Sequence, residues 1–462
     1  IEEHGTDEQK NGYLPKLTSG EWTGTMCLTE PSCGSDLGIL KSKAEPNADG
    51  SYSITGTKIF ISAGEHDMAE NIIHIVLARL PGAPKGTKGI SLFIVPKYLP
   101  GKIGESNGVV CGSLEKKMGI KASATCVMNF DEATGFMIGE ENKGLECMFT
   151  FMNSARIGTA CQGIAHAELA YQGSLPYAKE RRSMRALSGK KDPDAVADAL
   201  IHHGDVRRML LKQKAIAEGG RAMIYFAAQY ADNMISGMLE DDQEKYDRWD
   251  SELGFLTPIL KGFLTEKGLE AANEGMQVFG GHGYIKEHGM EQIARDARIS
   301  TLYEGTTGIQ ALDLLGRKIW QDQSHGLQLL MQEMQVDLEA ATTDRCQQWA
   351  LSLSETLQQA VKVTQSLGKS LLSEDPDRVL ANASCYLHLF GHIIVAWMWL
   401  RQANAAAHAL GSANSDDERN FYQGKLQAAQ YFFHWELPTV AQDLVLLRNQ
   451  DDTCFNMKSE WF

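Results

Sequence analysis

From Trp22 to about Phe130 the pattern of apolar and polar residues is that of β-strands. The segment SYSITGTKIFIS (51–62) alternates clearly, and NIIHIVLARL (71–80) and GISLFIVP (89–96) are strand-length runs rich in branched side chains. Loops rich in glycine and proline separate these runs. The pattern predicts a small β-barrel or sandwich over this part of the chain.

From about Gly139 the apolar positions recur with the period of an α-helix instead. The main helix-periodic segments are 144–182, 206–236, 258–279 and 322–436. A charged and irregular insert, LSGKKDPDAVADA (187–199), interrupts them. The chain is therefore predicted to be a β module followed by two helical blocks.

The charge and the cysteines narrow the possible partners. Among 462 residues there are 44 Lys plus Arg and 59 Asp plus Glu, a formal net charge of -15, which disfavours general binding to nucleic acid or anionic membranes. Nine cysteines are scattered with no C-x-x-C pair and no zinc-type spacing. They indicate a reducing compartment and no structural metal site.

Neither end of the chain nor its most apolar run predicts a membrane segment. The run Leu387–Leu400 is interrupted by two histidines and a glycine, and it is shorter than the roughly 18–20 residues that span a bilayer, so a buried helix is expected. No signal or transit peptide is visible. Residues 4–22 resemble the end of a helical element, and we expect the chain to be a fragment or to lack an N-terminal segment.

One carboxylate occupies an unusual position in TLYEGTTGIQALDLLGRK (301–318). Glu304 lies between an aromatic residue and a Gly-Thr-Thr turn, immediately before an apolar helix. Alone, such a residue is typical of a solvated loop. Burial would raise the pKa of this carboxyl and the following helix N-terminus would lower it, and the sequence leaves open which effect is larger.

Three further segments combine small and polar residues. CLTEPSCGSDLG (27–38) could present hydroxyls and amides to a ring edge or a phosphate, or could be a turn that enters a strand. KIFISAG (58–64) is a strand with a small polar end. QVFGGHGYI (277–285) carries glycines that either end a helix or let its backbone approach a ligand. None of the three is a P-loop or a G-x-G-x-x-G motif.

The sequence gives little support for a metal site or for a nucleophilic catalyst. His388 and His392 have the i, i+4 spacing of metal ligands, but no third ligand is evident. No G-x-S-x-G motif occurs, and Cys33 and Cys161 lack an activating partner in sequence. Neither a metalloenzyme nor a nucleophilic hydrolase is predicted.

Five segments, taken in order, resemble the motifs of the acyl-CoA dehydrogenase family: CLTEPSCGSD, KIFISAG, KERRSM, QVFGGHGYI and LYEGTTGIQ. Each alone is weak, but five in order are specific, and the resemblance covers residues 1–318. The remainder, together with the insert, resembles the subgroup with an extra C-terminal helical domain. That subgroup includes 3-methylmercaptopropionyl-CoA dehydrogenase and broad-range acyl-CoA dehydrogenases.

The resemblance implies an α+β fold that is mostly α. A middle β-barrel and a C-terminal four-helix bundle would be followed by the extra helical domain, and the family's N-terminal helical domain would be largely absent. The corresponding segments are 1–21 (a remnant of the N-terminal domain), 22–138 (the barrel), 139–321 (the bundle, with the base) and 322–462 (the extra domain).

The resemblance also implies a reaction. Glu304 matches the catalytic base, which removes the proton next to the thioester carbonyl while FAD accepts a hydride from the next carbon, leaving a trans-2-enoyl-CoA. In the family the enolate oxygen is held by a flavin ribityl hydroxyl and by the backbone N–H of the base. Such a base must be close, aimed and partly desolvated.

Cofactor and substrate contacts carry over residue by residue. The residues that match FAD contacts are Leu28, Thr29, Phe60, Ile61, Ser62, Arg181, Ser183, Gln277, Gly281, Thr306 and Gly308. Phe60 replaces the usual Trp, Ser62 the usual Thr, and Gly308 a common Gln. The residues that match substrate contacts are Ser35, Asn153, Arg156 and Gly305. In the family, the contacts of Gln277 and Gly281 reach FAD from a neighbouring subunit, so a homodimer or homotetramer is implied.

The predicted function is thus FAD-dependent α,β-dehydrogenation of an acyl-CoA, with electron-transfer flavoprotein as acceptor. The substrate would be 3-methylmercaptopropionyl-CoA or a fatty acyl-CoA. The alternatives are an acyl-CoA oxidase that uses O₂, a non-catalytic DNA-associated relative and a scaffold subunit. The net charge and the intact Glu304 disfavour the non-catalytic relative. We expect a bacterial cytoplasm or another reducing compartment, and no secretion.

Overall fold

The computed structural model describes the backbone of residues 1–462 and every side chain except those of residues 151–153 and 322. The chain forms two compact units, Ile1–Ser154 and Ala155–Phe462. Helices predominate and the strands form one sheet, which confirms the predicted α+β, mostly α class. The division into four segments remains a prediction.

The first unit begins with helix α1 (Asp7–Ser19), which Thr6 and Gln9 close with a capping box. Its strands are β1 (Trp22–Cys27), β2 (Lys43–Pro46), β3 (Tyr52–Ser62), β4 (Asn71–Ala78), β5 (Ser91–Pro96), β6 (Val109–Leu114) and β7 (Thr125–Ile138). Their order is β1-β4-β5-β7-β3-β2, with β6 on β7. β1 and β4 are parallel, and the other pairs are antiparallel.

Helix α2 (Gly144–Glu180) leads into the second unit. The helices that follow are α3 (Gly204–Leu239), α4 (Gln243–Phe279), α5 (Gly281–Tyr284), α6 (Met290–Arg298), α7 (Thr307–Gly316), α8 (His325–Glu339), α9 (Asp344–Leu371), α10 (Pro376–Val379), α11 (Ala383–Leu410), α12 (Asp416–Tyr431) and α13 (Val440–Asn449). One hydrophobic cluster runs through this unit, from Ala160 to Leu447. A shared core joins both predicted helical blocks.

Helix α4 begins fifteen residues earlier than the sequence predicts. The pattern indicates a start at Pro258, whereas the helix begins at Gln243 and Pro258 lies inside it, buried. A proline removes one helical hydrogen bond and crowds the preceding turn. Packing of the buried apolar face on both sides of Pro258 outweighs this cost, a tertiary effect that local pattern does not reveal.

The apolar run at 387–400 forms the centre of α11. The stretch Pro376–Leu410 is long and apolar enough to cross a membrane by length and composition alone, but 67% of its most apolar window is buried inside the protein. Trp397 and Trp399 are fully buried and donate hydrogen bonds to Asp337 and to the carbonyl of Ala215. These contacts are those of a core helix.

Candidate active site

Glu304 lies in a tight turn just before α7. Its φ is +55° and that of Gly305 is +85°, so both residues have left-handed backbones. For a residue with a Cβ this conformation costs about 1–2 kcal/mol. The side chain of Thr306 then caps α7 by accepting a hydrogen bond from Ile309 N at 3.3 Å. The carboxylate is thus presented from a strained turn directly ahead of a helix N-terminus.

Two buried side chains hold this turn. Gln310 Nε2 donates to the carbonyl of Glu304 at 2.9 Å, and Lys261 Nζ donates to the carbonyl of Gly305. Gln310 and Lys261 are both fully buried. A Cβ at Gly305 would lie 2.5 Å from Gln310 Nε2, so only glycine fits there. Tyr303 OH also donates to Gln162 Oε1 on α2.

Burial dominates the electrostatics of Glu304. Desolvation raises the pKa of its carboxyl, while the positive charges of Lys261 and Arg156 oppose this rise. The pKa of Lys261 is itself lowered to about 8 by burial, against the opposing effects of Glu304 and Glu266. Desolvation outweighs these two charges, so the carboxyl is a stronger base than an exposed glutamate.

The predicted substrate contacts lie in different settings. Arg156 is buried, and its Nη1 donates to Asp313 Oδ2 at 2.7 Å, so it acts on Glu304 through its charge. Ser35 is exposed in the first unit. The side chain of Asn153 lies outside the described side chains. Substrate contact by Arg156, Ser35 and Asn153 stays a prediction.

A buried ion pair organises the predicted flavin-facing residues of the first unit. Lys58 Nζ lies 2.9 Å from Glu30 Oε1 and donates to the carbonyl of Leu28 at 3.1 Å. Glu30 also accepts hydrogen bonds from Lys41 N and from Ser42 N and Oγ. Residues 28–30 and strand β3 are thereby fastened together. The sequence prediction named Leu28 but neither member of this pair.

The strand that carries Phe60 is irregular at that residue. The β3–β7 pairing shifts register between Lys58 and Ile61, and Phe60 adopts φ +60° with 59% of its surface exposed. Ile61 is buried and Ser62 is exposed. Strained residues cluster at ligand sites, and an aromatic ring held open by a bulge is suited to stack on a planar ligand.

The remaining predicted FAD contacts lie in the second unit. Arg181 and Ser183 follow the end of α2, and Gln277 and Gly281 flank the end of α4; all four are exposed. Tyr177 on α2 stacks on Phe279 with 4.0 Å between ring centroids, which brings these two helix ends together.

Thr306 and Gly308 lie at the start of α7. Thr306 caps the helix and Gly308 is exposed. The role of each of these residues in FAD binding stays a prediction.

His388 and His392 of α11 have local partners. His388 Nδ1 pairs with Asp443 Oδ2, and His392 Nδ1 bonds the carbonyl of His388. Within the described part of the chain, no group of three or more His, Cys, Asp or Glu side chains could hold a metal ion.

Three family models match the chain consecutively. They are the "Acyl-CoA dehydrogenase, middle domain" at 25–133, the "Acyl-CoA dehydrogenase, C-terminal domain" at 142–320 and the "Acetyl-CoA dehydrogenase C-terminal like" domain at 330–458. Glu304 and its turn fall within the second.

Curated relatives match over most of the chain. The 3-methylmercaptopropionyl-CoA dehydrogenase of Ruegeria pomeroyi is 43% identical over 93% of this chain and 72% of its own length. The broad-specificity linear acyl-CoA dehydrogenase FadE5 of Mycobacterium tuberculosis is 35% identical over 99% and 77%.

Solved structures share the fold. ACDH-11 of Caenorhabditis elegans in complex with C11-CoA has a TM-score of 0.77 at 20% identity, covering 99% of this chain and 70% of that one. An acyl-CoA dehydrogenase complexed with FAD from Bacillus anthracis has a TM-score of 0.76 at 22% identity, covering 96% and 73%. At these identities the likeness shows the fold alone.

Proposed function

The chain belongs to the acyl-CoA dehydrogenase family, and we propose that Glu304 is the base with which it converts an acyl-CoA thioester to a trans-2-enoyl-CoA. It is an FAD-dependent oxidoreductase of the acyl-CoA dehydrogenase class. The observation that carries the proposal is the position of Glu304: a half-buried carboxylate on a strained turn, with a raised pKa and two buried cations nearby.

Abstraction of the α proton of a thioester requires a carboxylate of this kind. A C–H bond beside a thioester is a weak acid, and a base works best when its pKa approaches the working pH. Glu304 takes the proton from the α carbon, and the electron pair of that bond forms the new double bond. FAD, when bound, accepts the hydride from the β carbon. The positive charges of Lys261 and Arg156 favour the ionised form of Glu304, which is the form that accepts a proton.

The backbone N–H of Glu304 is the donor that we assign to the thioester oxygen. Among the described residues, no acceptor bonds to this N–H. A donor that is left free by the protein is available to a ligand, and it needs no rearrangement when charge appears on the oxygen. Gly305 has no side chain, and Gln310 Nε2 occupies the space that a Cβ would take there.

The substrate that we propose is a short acyl-CoA, with 3-methylmercaptopropionyl-CoA as the first candidate. The support is the 43% identity to the dehydrogenase named for that thioester, against 35% to the broad-specificity linear enzyme. We also propose that electron-transfer flavoprotein accepts the electrons, that the chain self-associates and that it works in the cytoplasm. The exposed Gln277 and Gly281, which in the family serve a neighbouring subunit, support self-association.

Anaerobic titration of the FAD-loaded protein tests this proposal. The protein would be mixed with 3-methylmercaptopropionyl-CoA, butyryl-CoA or palmitoyl-CoA, and loss of visible flavin absorption would be followed. We expect the short thioethers and short acyl chains to bleach the flavin fastest. Fastest bleaching by palmitoyl-CoA would overturn the substrate class, and a flavin that no acyl-CoA reduces would overturn the reaction. Rapid reoxidation by O₂ with release of peroxide would identify an oxidase.

Arg181→Ala should lower FAD retention without unfolding the protein. We propose that its exposed guanidinium pairs with the FAD pyrophosphate, an interaction worth about 1.5–3 kcal/mol or roughly 10- to 100-fold in affinity. The measurement is the ratio of flavin to protein after dialysis, together with far-ultraviolet circular dichroism. Lys179→Ala removes an exposed cation at the same helix end and serves as the control. Equal retention in the two variants would exclude the role of Arg181.

A further inference from the structure

The turn that carries Glu304 has to be held in place. A left-handed backbone at a glutamate is unfavourable by about 1–2 kcal/mol, and Gly305 extends the left-handed conformation by a second residue. Such conformations persist only where the surrounding structure enforces them. The contacts of this turn therefore show which side chains enforce it.

The two enforcing side chains come from different helices. Gln310, in the first turns of α7, bonds the carbonyl of Glu304 at 2.9 Å, and Lys261, from the middle of α4, bonds the carbonyl of Gly305. The carbonyl of Glu304 lies in the peptide plane that joins it to Gly305, and the carbonyl of Gly305 lies in the plane that joins it to Thr306. Hydrogen bonds to both carbonyls therefore fix the two peptide planes that follow Glu304, and with them the backbone from which its side chain leaves.

Neither Gln310 nor Lys261 is the side chain that would make the folded protein most stable at its position. Gln310 is fully buried, yet its Oε1 has no hydrogen-bond partner in the described structure, and burial without a partner is unfavourable. Lys261 is a fully buried cation whose Nζ bonds a carbonyl, and it forms none of the ion pairs found among the described residues. Apolar side chains of similar volume would be less costly at both positions, which indicates a functional role for these two.

We propose that Lys261 and Gln310 are positioning residues for catalysis, which lock the Glu304–Gly305 turn so that the carboxylate of Glu304 faces the substrate. This inference rests on the proposed function, in which Glu304 is the base. Gln310 is neutral, whereas Lys261 also places a positive charge near the carboxylate. Substitution of either residue should therefore slow the reaction, but only substitution of Lys261 should also change its pH dependence.

The charges around Glu304 set the expected pH response. Lys261 faces it from α4 and Arg156 from α2, and Arg156 is itself paired with Asp313 of α7. Tyr303 adjoins it in the turn, and Glu266 of α4 acts on Lys261. Of these, Lys261 is the largest opponent of the desolvation that raises the pKa of Glu304. Removing its charge should raise that pKa further, so the base would lose its proton only at higher pH.

The experiment is anaerobic stopped-flow reduction of bound FAD by the acyl-CoA that bleaches it best, with rates expressed per bound flavin across a pH series. We expect Gln310→Met to slow reduction roughly 10- to 100-fold, the range for a misaligned catalytic group, without moving the pH midpoint. Its melting temperature should stay level or rise, because the unpartnered Oε1 is gone. Substrate affinity should change little.

Lys261→Met should slow reduction by a similar factor and also move the pH midpoint upward. Glu244→Gln is the control on α4: it removes an exposed charge in the first turn of that helix, and it should keep the wild-type rate. Wild-type rates per bound flavin in both Gln310→Met and Lys261→Met would overturn the inference, as would losses that only follow FAD content. Glu304→Gln separates the two hypotheses: if that variant still reduces FAD, the base assignment fails independently of the two positioning residues.

Discussion

Glu304→Gln should abolish the reduction of bound FAD by acyl-CoA while FAD itself remains bound. The amide has almost the same shape but cannot accept the α proton, and loss of a general base costs 10²- to 10⁴-fold or about 3–5 kcal/mol in the barrier. The measurement is single-turnover flavin bleaching with the protein and acyl-CoA mixed anaerobically. Bleaching at the wild-type rate would show that the base lies elsewhere.

The same variant should be more stable than the parent protein at neutral pH. The pKa of Glu304 is raised in the folded state, so its favourable contribution exists below the pKa of an unfolded glutamate and is lost as pH rises through the folded value. At pH values above the folded pKa, the buried negative charge destabilises the folded state, and glutamine carries no such charge. Thermal melts at pH 5 and pH 8 should show the larger gain at pH 8.

Glu244→Gln provides the control for both effects. It neutralises an exposed glutamate of the same unit, in the first turn of α4. We expect reduction to continue, and no gain in stability that grows with pH. A gain of equal size in both variants would mean that the effect comes from net charge and not from the burial of Glu304. Loss of activity with a gain in stability, confined to Glu304→Gln, identifies a residue kept for function.

Much of the fold was predictable because its periodic signals are strong. The alternating run at 51–62 became β3, and the long helical pattern at 144–182 became α2 almost in full. The start of α4 was not predictable, because Pro258 is a reliable helix breaker only where tertiary packing does not override it. Local pattern finds elements, and long-range packing decides their ends.

The candidate site likewise contains residues that a local motif indicates and residues that only the folded structure reveals. Glu304 could be proposed as the base from its motif, since the residues that define this motif are adjacent in sequence. Its partners could not: Lys261 precedes it by more than forty residues, inside the apolar segment LTPILKGFL (256–264). A lysine surrounded by apolar helix residues is a signal that a buried partner exists, but it does not say which one. Gln310 was still harder to predict, because a single glutamine in a helix forms no distinctive sequence pattern.

Lys58 gave a similar signal, and its substitution has the second large expected effect. Lys58→Met should destabilise the first unit by about 3–5 kcal/mol, because breaking a buried ion pair leaves the other charge uncompensated. The methionine fills much of the volume but provides no donor for Glu30 or for the carbonyl of Leu28. Thermal unfolding, followed by tryptophan fluorescence and by release of FAD, measures the loss.

The loss of folding stability in Lys58→Met should depend on pH, and it should be larger near neutral pH than in acid. In the parent protein, Lys58 and the hydrogen bonds of Ser42 and Lys41 hold the pKa of Glu30 below its usual value despite burial. That contribution is present above the pKa of an unfolded glutamate and is lost as pH falls. Without Lys58, desolvation would raise the pKa of Glu30, so the variant should lie furthest below the parent near neutral pH and approach it in acid.

Two further variants decide whether the buried pair is the cause. Lys143→Met removes an exposed lysine of the same unit, 3.4 Å from Glu140, and such a surface pair should contribute no more than about 1 kcal/mol. In the double variant Lys58→Met with Glu30→Gln no charge is left unpaired, so part of the lost stability should return. If the double variant instead lost the sum of both single effects, Lys58 and Glu30 would act independently. Recovery of stability without recovery of flavin reduction would show that the pair also holds Thr29 and Phe60 in position against the flavin.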